Sequence, residues 1–374
     1  MKVLVAPCEF KETLTPKEAA EAVEKAFGDA GLLSLLHPVA DGGGGTLNAL
    51  QYNLKGKTKW YKVHDPLLRE VEAPIFYYND FAFIEMASAS GLKLLKDEER
   101  DPLNLTSIGT GELIKHAVSE GYKKIYIGIG GSATVDGGIG ALYALGIRFL
   151  DKNGKELEPV GRALFSIDSL EIPRKTLSLL KNADIRILSD VKNPLLGKNG
   201  AVRVFGPQKG LKEKYFEKME KGLEKLAEII YRKTGRDMRK IKGGGAAGGI
   251  GAALYGVFGA KIEDGAEFFL KITNFEDKLK DVDVVITGEG SFDEQSLFGK
   301  APYKVAEISK KHGKKVIVLC GVAKVNESIY NVVDAVFSIV NGIQSKEEAF
   351  RKAKENLYFT AYNVARLLKE GVKS

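Results

Sequence analysis

Lysines, acids and hydroxyls recur in this sequence beside glycine, each time just past a short apolar run. The densest case is Asp283 to Pro302, DVVITGEGSFDEQSLFGKAP. Val284-Val285-Ile286 reads as a buried parallel strand. Thr287-Gly288-Glu289-Gly290 then sets one carboxylate between glycines, which lets backbone approach a ligand while the acid faces it. Asp293, Glu294 and Lys300 follow, and Pro302 stands in the first turn of the next helix. Related glycine-bearing loops surround Lys11, Asp41, Asp136, Asp190 and Lys209. Phosphoryl transfer needs such a set: backbone N–H groups and lysines for phosphate oxygens, carboxylates for Mg2+, and one carboxylate to take the proton of the attacking hydroxyl. His37, His64, His116 and His312 share no loop and lack metal-ligand spacing, so neither a nucleophilic triad nor a zinc site suggests itself.

The elements that must carry these loops follow from periodicity. Lys2 to Ala6 is a strand. Thr15-Pro16-Lys17-Glu18 caps a helix with an apolar face through Ala19, Ala22, Val23, Ala26 and Phe27. Asp41-Gly42-Gly43-Gly44-Gly45-Thr46 reads as unusually exposed backbone ahead of a helix through Leu47 and Leu50. Between residues 57 and 90 the alternation changes to hairpins, with a turn at Asn79-Asp80, as an inserted domain would produce. Lys124 to Ile127 is a strand, followed by Gly128 to Gly138, a loop of glycines, hydroxyls and one acid that suits an anion. Ile185 to Leu188 is a strand ending at Ser189-Asp190. Gly200 to Gly210 reads as a short strand and turn. Phe216, Met219, Leu223, Leu226 and Ile230 mark an amphipathic helix whose stripe is core packing. Gly243 to Ala252 is the most glycine-dense run and repeats part of Gly137 to Ala141 as one close-packing solution. The last third alternates strands at 284–287, 316–319 and 335–339 with helices, the final one capped by Ser345 and Glu348. These strands are expected to join the first in one mostly parallel sheet.

Composition narrows the function classes. Glycine, at 42 of 374 residues, is roughly 11% against a usual ~7%, and it is clustered rather than periodic. The net charge of +7 and pI near 9.0 are spread over interleaved Lys and Glu, which reads as a solvated surface rather than a nucleic-acid footprint. Such a field also suits an anionic small substrate. Cys8 and Cys320 make no disulfide framework. No apolar run of about 18 residues is present, and MKVLVAP is too short for a signal peptide, so a cytoplasmic, membrane-free protein is expected. A Walker loop is excluded, since Gln51 stands where Gly56-Lys57-Thr58 requires the first glycine. Gly128-x-Gly130-x-x-Ala133, with Asp151 beyond it, does fit a dinucleotide fingerprint, so an NAD-dependent dehydrogenase is one alternative.

Taken in order, the blocks resemble the bacterial glycerate kinase type 1 family over nearly the whole chain. They are Ala6-Pro7 with Phe10-Lys11; Ala40-Asp41-Gly42-Gly43 with Gly45-Thr46; Gly130-Gly131-Ser132-Ala133-Thr134 with Asp136-Gly137-Gly138; Asp190-Val191 with Asn193-Pro194-Leu195; Phe205 to Gly210; Gly245-Ala246-Ala247-Gly248-Gly249; and Ile286 to Gly290 with Asp293, Gln295 and Gly299 to Pro302. The resemblance implies ATP-dependent, Mg2+-assisted phosphorylation of glycerate, mostly to 2-phosphoglycerate. It also implies two α/β domains, a mostly parallel doubly wound sheet with a mixed-sheet domain inserted, and an active site in the cleft between them. We expect 1–58, 92–134 and 265–374 to form the first domain, and 59–91 with 135–264 the inserted one. The carried-over site is Lys11, Asp190 and Asp293 as catalytic residues, with Asp190 and Asp293 for Mg2+ and proton acceptance. Asp41, Gly42, Gly43, Ser132, Thr134, Asp136, Lys209, Gly248, Glu289 and Lys300 are its substrate or phosphate contacts. Family members read Asp-Ser-Phe-Lys-Gly after Ala-Pro, where this chain has Cys8, Glu9 and Glu12 at the Asp, Ser and Gly positions. Gly44 replaces a glutamate of the next loop. Those departures make a non-catalytic ligand-binding homologue the second alternative. The oligomeric state stays open.

Overall fold

The structure is a computed structural model that describes residues 1–293, 300–324 and 326–370. Its strands are β1 (Lys2–Pro7), β2 (Leu33–Leu36), β3 (Lys57–His64), β4 (Glu70–Tyr78), β5 (Phe81–Glu85), β6 (Lys124–Gly128), β7 (Arg148–Leu150), β8 (Ser169–Glu171), β9 (Asp184–Leu188), β10 (Lys261–Glu263), β11 (Val284–Asp293), β12 (Lys315–Lys324) and β13 (Ala335–Ser338). The chain divides into two compact units: Met1–Asp41, Gly45–Lys55 and Gly265–Ser374 form one, and Gly42–Gly44 with Gly56–Asp264 the other.

The first unit is built on a five-stranded, wholly parallel sheet of order β13-β12-β11-β1-β2. Its central strands are apolar on both faces, as a sheet covered by helices requires. Val3, Val5, Val284, Ile286 and Leu319 pack with Phe27 of the helix Pro16–Asp29 and with Leu357, Ala361 and Val364 of the helix Ala353–Glu370. The first of these helices begins where its sequence says. Thr15 Oγ1 accepts the Glu18 N–H, and the Glu18 carboxylate accepts the Thr15 N–H at 2.9 Å. Pro302 sits in the first turn of the helix Ala301–Lys311, also as expected.

The second unit holds a six-stranded mixed sheet, β10-β9-β6-β5-β4-β3, and a small antiparallel pair, β7-β8. β10, β9, β6 and β5 are parallel, and β4 and β3 continue antiparallel. The hairpins between residues 57 and 85 are therefore present, and Asn79 makes their turn at φ +49°. The expected domain boundaries shift at 42–44, 56–58 and 92–134, all of which fall in the second unit. Residues 92–134 lie in this second unit, because β6 is hydrogen-bonded to β5 on one side and β9 on the other. Leu113, Ile114 and Ala117 of the helix Ile108–Ser119 complete the same core. A second correction concerns 201–205. They form a π-helical turn, not a strand, and run directly into the 3-10 turn Pro207–Lys209.

Candidate functional site

In the first unit the strand order reverses between β1 and β11: the chain goes from β1 to β2 on one side, then resumes at β11 on the other and proceeds to β12 and β13. In open α/β sheets the crevice at the carboxyl ends of the strands flanking such a reversal is where ligands bind. Lys11 stands there, exposed, on the turn after β1. That turn is closed by Phe10 and Leu14, whose N–H and C=O groups exchange two bonds of 2.9 and 3.0 Å. Glu289 is the first residue of β11 beyond the end of β1, since Pro7 pairs with Gly288. It is 9% exposed, and Lys300 Nζ lies 3.8 Å from its Oε2. Gly290 has a steric reason to be glycine: a Cβ there would stand 3.2 Å from the Lys11 amide nitrogen. Asp41 also belongs to this carboxyl edge. The chain leaves β2 alongside β1, with His37 N–H on Val5 C=O and Val39 N–H on Pro7 C=O, and Asp41 follows, half-buried. Asp293 ends β11, and its side chain lies outside the described residues, as do residues 294–299.

Cys8 and Cys320 are both buried near this edge. Cys8 donates its N–H to Gly288 C=O at 2.8 Å, and Cys320 pairs in register with Glu289. Burial, reinforced by the Glu289 charge, pushes the Cys320 thiol up to about 12, which removes it as a nucleophile at neutral pH. Glu12 occupies φ +66°, a conformation that explains glycine at this position in the family pattern.

In the second unit the loop after β6 gathers Ser132, Thr134 and Lys209. Pro207 opens the 3-10 turn that carries Lys209, and Gly210 at φ +91° ends it against Arg100 C=O, where a Cβ would have 2.0 Å. The lysine then runs inward, 2% exposed, and donates to Ser132 Oγ at 2.6 Å and to Thr134 C=O at 2.8 Å. Burial lowers its ammonium to about 7, partly offset by the charge of Asp136. Gly248, at φ +69°, packs on the same peptide, and a Cβ there would lie 2.2 Å from Thr134 C=O.

Asp136 sits among these residues but is spent internally. Its Oδ2 accepts Ser107 N–H, Ser107 O–H and Gly140 N–H at 3.0, 2.6 and 3.0 Å, and its Oδ1 accepts Gly138 N–H at 3.0 Å. It ties the start of the helix Ile108–Ser119 to the start of the helix Ile139–Ala144. Ser107, which sequence reasoning passed over, completes the joint by accepting the Ala141 N–H at 3.0 Å. The available signal was a Thr-Ser pair just ahead of a helical stretch.

Gly42 is not the exposed backbone expected of this run. Gly42 is buried across the carboxyl ends of β6 and β9: its C=O accepts Gly130 N–H at 3.2 Å, and a Cβ would meet Leu188 C=O at 2.8 Å. Gly130 in turn would place a Cβ 2.5 Å from Gly43 Cα. Asp190, half-buried, comes two residues past the end of β9, on the strand neighbouring β6. The dinucleotide fingerprint at 128–133 fails structurally. It requires a helix opening on its glycines, whereas the next helix starts only at Ile139, and Asp151 is engaged in a local turn with Asn153 and Lys155.

Mg2+ in phosphoryl-transfer sites is held by one or two carboxylates, with phosphates and water completing the shell. Among the described residues no three His, Cys, Asp or Glu side chains gather, so a dedicated all-protein cage is absent there. A half-buried Asp190 at a strand end fits the sparser set.

Both units are α/β, one with a parallel sheet whose order reverses at β1 and β11, the other with a lysine buried under a Gly-Ser-Ala-Thr loop. The comparisons with known proteins are specific. The model of the glycerate kinase family matches residues 3–369. The chain is 42% identical to the glycerate 2-kinase of Escherichia coli K12 over 100% of both chains. It is 40% identical to the glycerate kinase of Bacillus subtilis 168, over 99% of this chain and 98% of that protein. A crystal structure assigned as glycerate kinase 2 from Salmonella typhimurium LT2 superposes with a TM-score of 0.83 at 42% identity, covering 100% of each chain. The chain belongs to the glycerate kinase family.

Proposed function

We propose that the protein is an ATP-dependent glycerate kinase that phosphorylates the 2-hydroxyl. The observation that supports this most is the placement of Lys11, Glu289 and Lys300 at the reversal point of the parallel sheet, in a chain that aligns end to end with a glycerate 2-kinase. In this reading Lys11 holds a phosphate or the substrate carboxylate, and the Ser132 loop holds an anion. Asp41 and Lys300 complete the contacts. The hydroxyl oxygen of glycerate takes the γ-phosphoryl group, the bond to the β-phosphate oxygen breaks, ADP leaves, and a carboxylate, Asp190 or Asp293, receives the hydroxyl proton. Asp190 and Asp293 would be the residues to hold Mg2+, which would supply charge neutralisation during the transfer. Asp136 serves as the brace that keeps the anion loop in place.

A coupled ADP-release assay with Mg-ATP and D-glycerate tests this. Turnover with glycerate that falls at least about 100-fold in Asp190→Asn is expected. Ligand binding without ADP release from any three- or four-carbon hydroxy acid would instead favour a binding homologue, the reading that Cys8 and Gly44 motivate.

A further inference from the structure

Lys209, Ser132 and Thr134 hold more hydrogen-bonding capacity than the described residues use. A charged lysine carries three N–H donors, and Lys209 Nζ gives two of them, to Ser132 Oγ and Thr134 C=O. Ser132 Oγ accepts from the lysine, which leaves its own O–H to give. Thr134 Oγ1 is fully buried and has no partner among the described residues. A buried polar group left unmatched costs about 1–3 kcal/mol, and a buried ammonium facing only neutral acceptors is costlier still. The nearest acid helps only through its charge and makes no hydrogen bond to the lysine, because the oxygens of Asp136 are taken by Ser107, Gly138 and Gly140.

The backbone beside this cluster is strained. Ala247 is held at φ +50°, followed by Gly248 at +69° and Gly249 at +98°. Non-glycine residues persist in that region only where surrounding structure fixes them, commonly at ligand clamps. Here the fixing contact is the Gly248 backbone against the Thr134 peptide. Gly131, the residue before Ser132, is exposed.

We propose that Lys209, Ser132 and Thr134 form a closed subsite for one small oxyanion, entered from the Gly131 side, in which the lysine ammonium and the two hydroxyls donate to the anion's oxygens. The subsite deepens the kinase reading and rests on it for the anion's source, which is either the carboxylate of the hydroxy acid or a phosphoryl group.

The test uses thermal unfolding of the full chain in an oxyanion-free buffer, titrated separately with inorganic phosphate and with D-glycerate. Thr134→Val is the decisive variant, because valine keeps the shape and removes a hydroxyl that has no partner among the described residues. It is expected to fold with Tm unchanged or raised. Lys209→Met and Ser132→Ala accompany it. Wild type should be stabilised by at least one of the two anions. Thr134→Val should weaken that response about tenfold, the worth of one hydrogen bond to a charged group. Loss of the phosphate response assigns the subsite to a phosphoryl group, and loss of the glycerate response assigns it to the carboxylate. Wild-type affinity for both anions in Thr134→Val, or no response of wild type to either, overturns the subsite. The ADP-release assay on the same preparations separates the two readings. Turnover with unaltered anion binding in Thr134→Val removes the subsite alone, and anion binding without turnover removes the kinase alone.

Discussion

Glu12 and Lys209 each hold a conformation or environment that their side chains disfavour, and both can be tested one residue at a time. Glu12 stands at φ +66° on the turn that carries Lys11. A left-handed conformation costs a non-glycine residue roughly 1–2 kcal/mol. Glu12→Gly should therefore stabilise the protein by about 1 kcal/mol in urea unfolding, less than the full strain because glycine also gains freedom in the unfolded chain. A lower midpoint would show that the carboxylate makes a compensating contact. Lys209 sets a pH dependence. Its ammonium is lowered from 10.5 to about 7 in the folded protein, so between these values the unfolded chain binds more protons than the folded one. Stability from this group is fully present above pH 10.5 and is lost as pH falls through about 7. Measured against Lys209→Met, wild type should gain stability between pH 7 and pH 10, and parallel pH profiles for the two proteins would contradict the buried, depressed lysine. An anion bound at Ser132 would favour the charged lysine and flatten the same profile.

At the scale of elements, the loops are positioned by two devices, a carboxylate brace and glycine contacts. Asp136→Asn replaces one acceptor by an NH2 group in a setting where every neighbour is a donor. We expect a loss of about 3 kcal/mol in chemical unfolding. A loss under about 1 kcal/mol would mean that the brace is dispensable. Gly248→Ala should cost about 3 kcal/mol, combining overlap with Thr134 C=O and a left-handed alanine. These devices also mark the limits of what the sequence disclosed. Thr15, Ser345 and Pro302 were legible because caps and first-turn proline are local chemistry; Ser345 Oγ does accept the Glu348 N–H at 3.2 Å. The hairpins of 57–85 were legible from their turn residues. Other features depend on partners remote in sequence. Asp41 to Gly45 reads as open backbone until Leu188 and Gly130 are placed against Gly42 and Gly43. The bonds of Asp136 to Ser107 join loops 29 residues apart in sequence. Residues 201–205 alternate like a strand, yet wind into a π-turn that brings Lys209 inward. β6 is apolar enough for either sheet, and only its pairing with β5 and β9 assigns it.

For the molecule as a whole, the parallel sheet places Lys11, Glu289 and Lys300 where its strand order reverses, and the mixed sheet places a buried lysine under a hydroxyl-bearing loop. No helix among the described residues is long and apolar enough to cross a membrane. Family membership rests on the family model that matches residues 3–369 and on full-length relatives, and the proposed activity rests on the loops within that span. The most direct test is proton-coupled 31P NMR of a mixture of the protein, Mg-ATP and D-glycerate. Carbon 2 of glycerate bears one hydrogen and carbon 3 bears two, so a phosphate on the 2-oxygen appears as a doublet and one on the 3-oxygen as a triplet. Decay of the γ-phosphate signal with growth of one monoester doublet is the expected result. A triplet would place the transfer on the other hydroxyl, and a γ-phosphate signal that decays no faster than without glycerate would contradict phosphoryl transfer to this substrate.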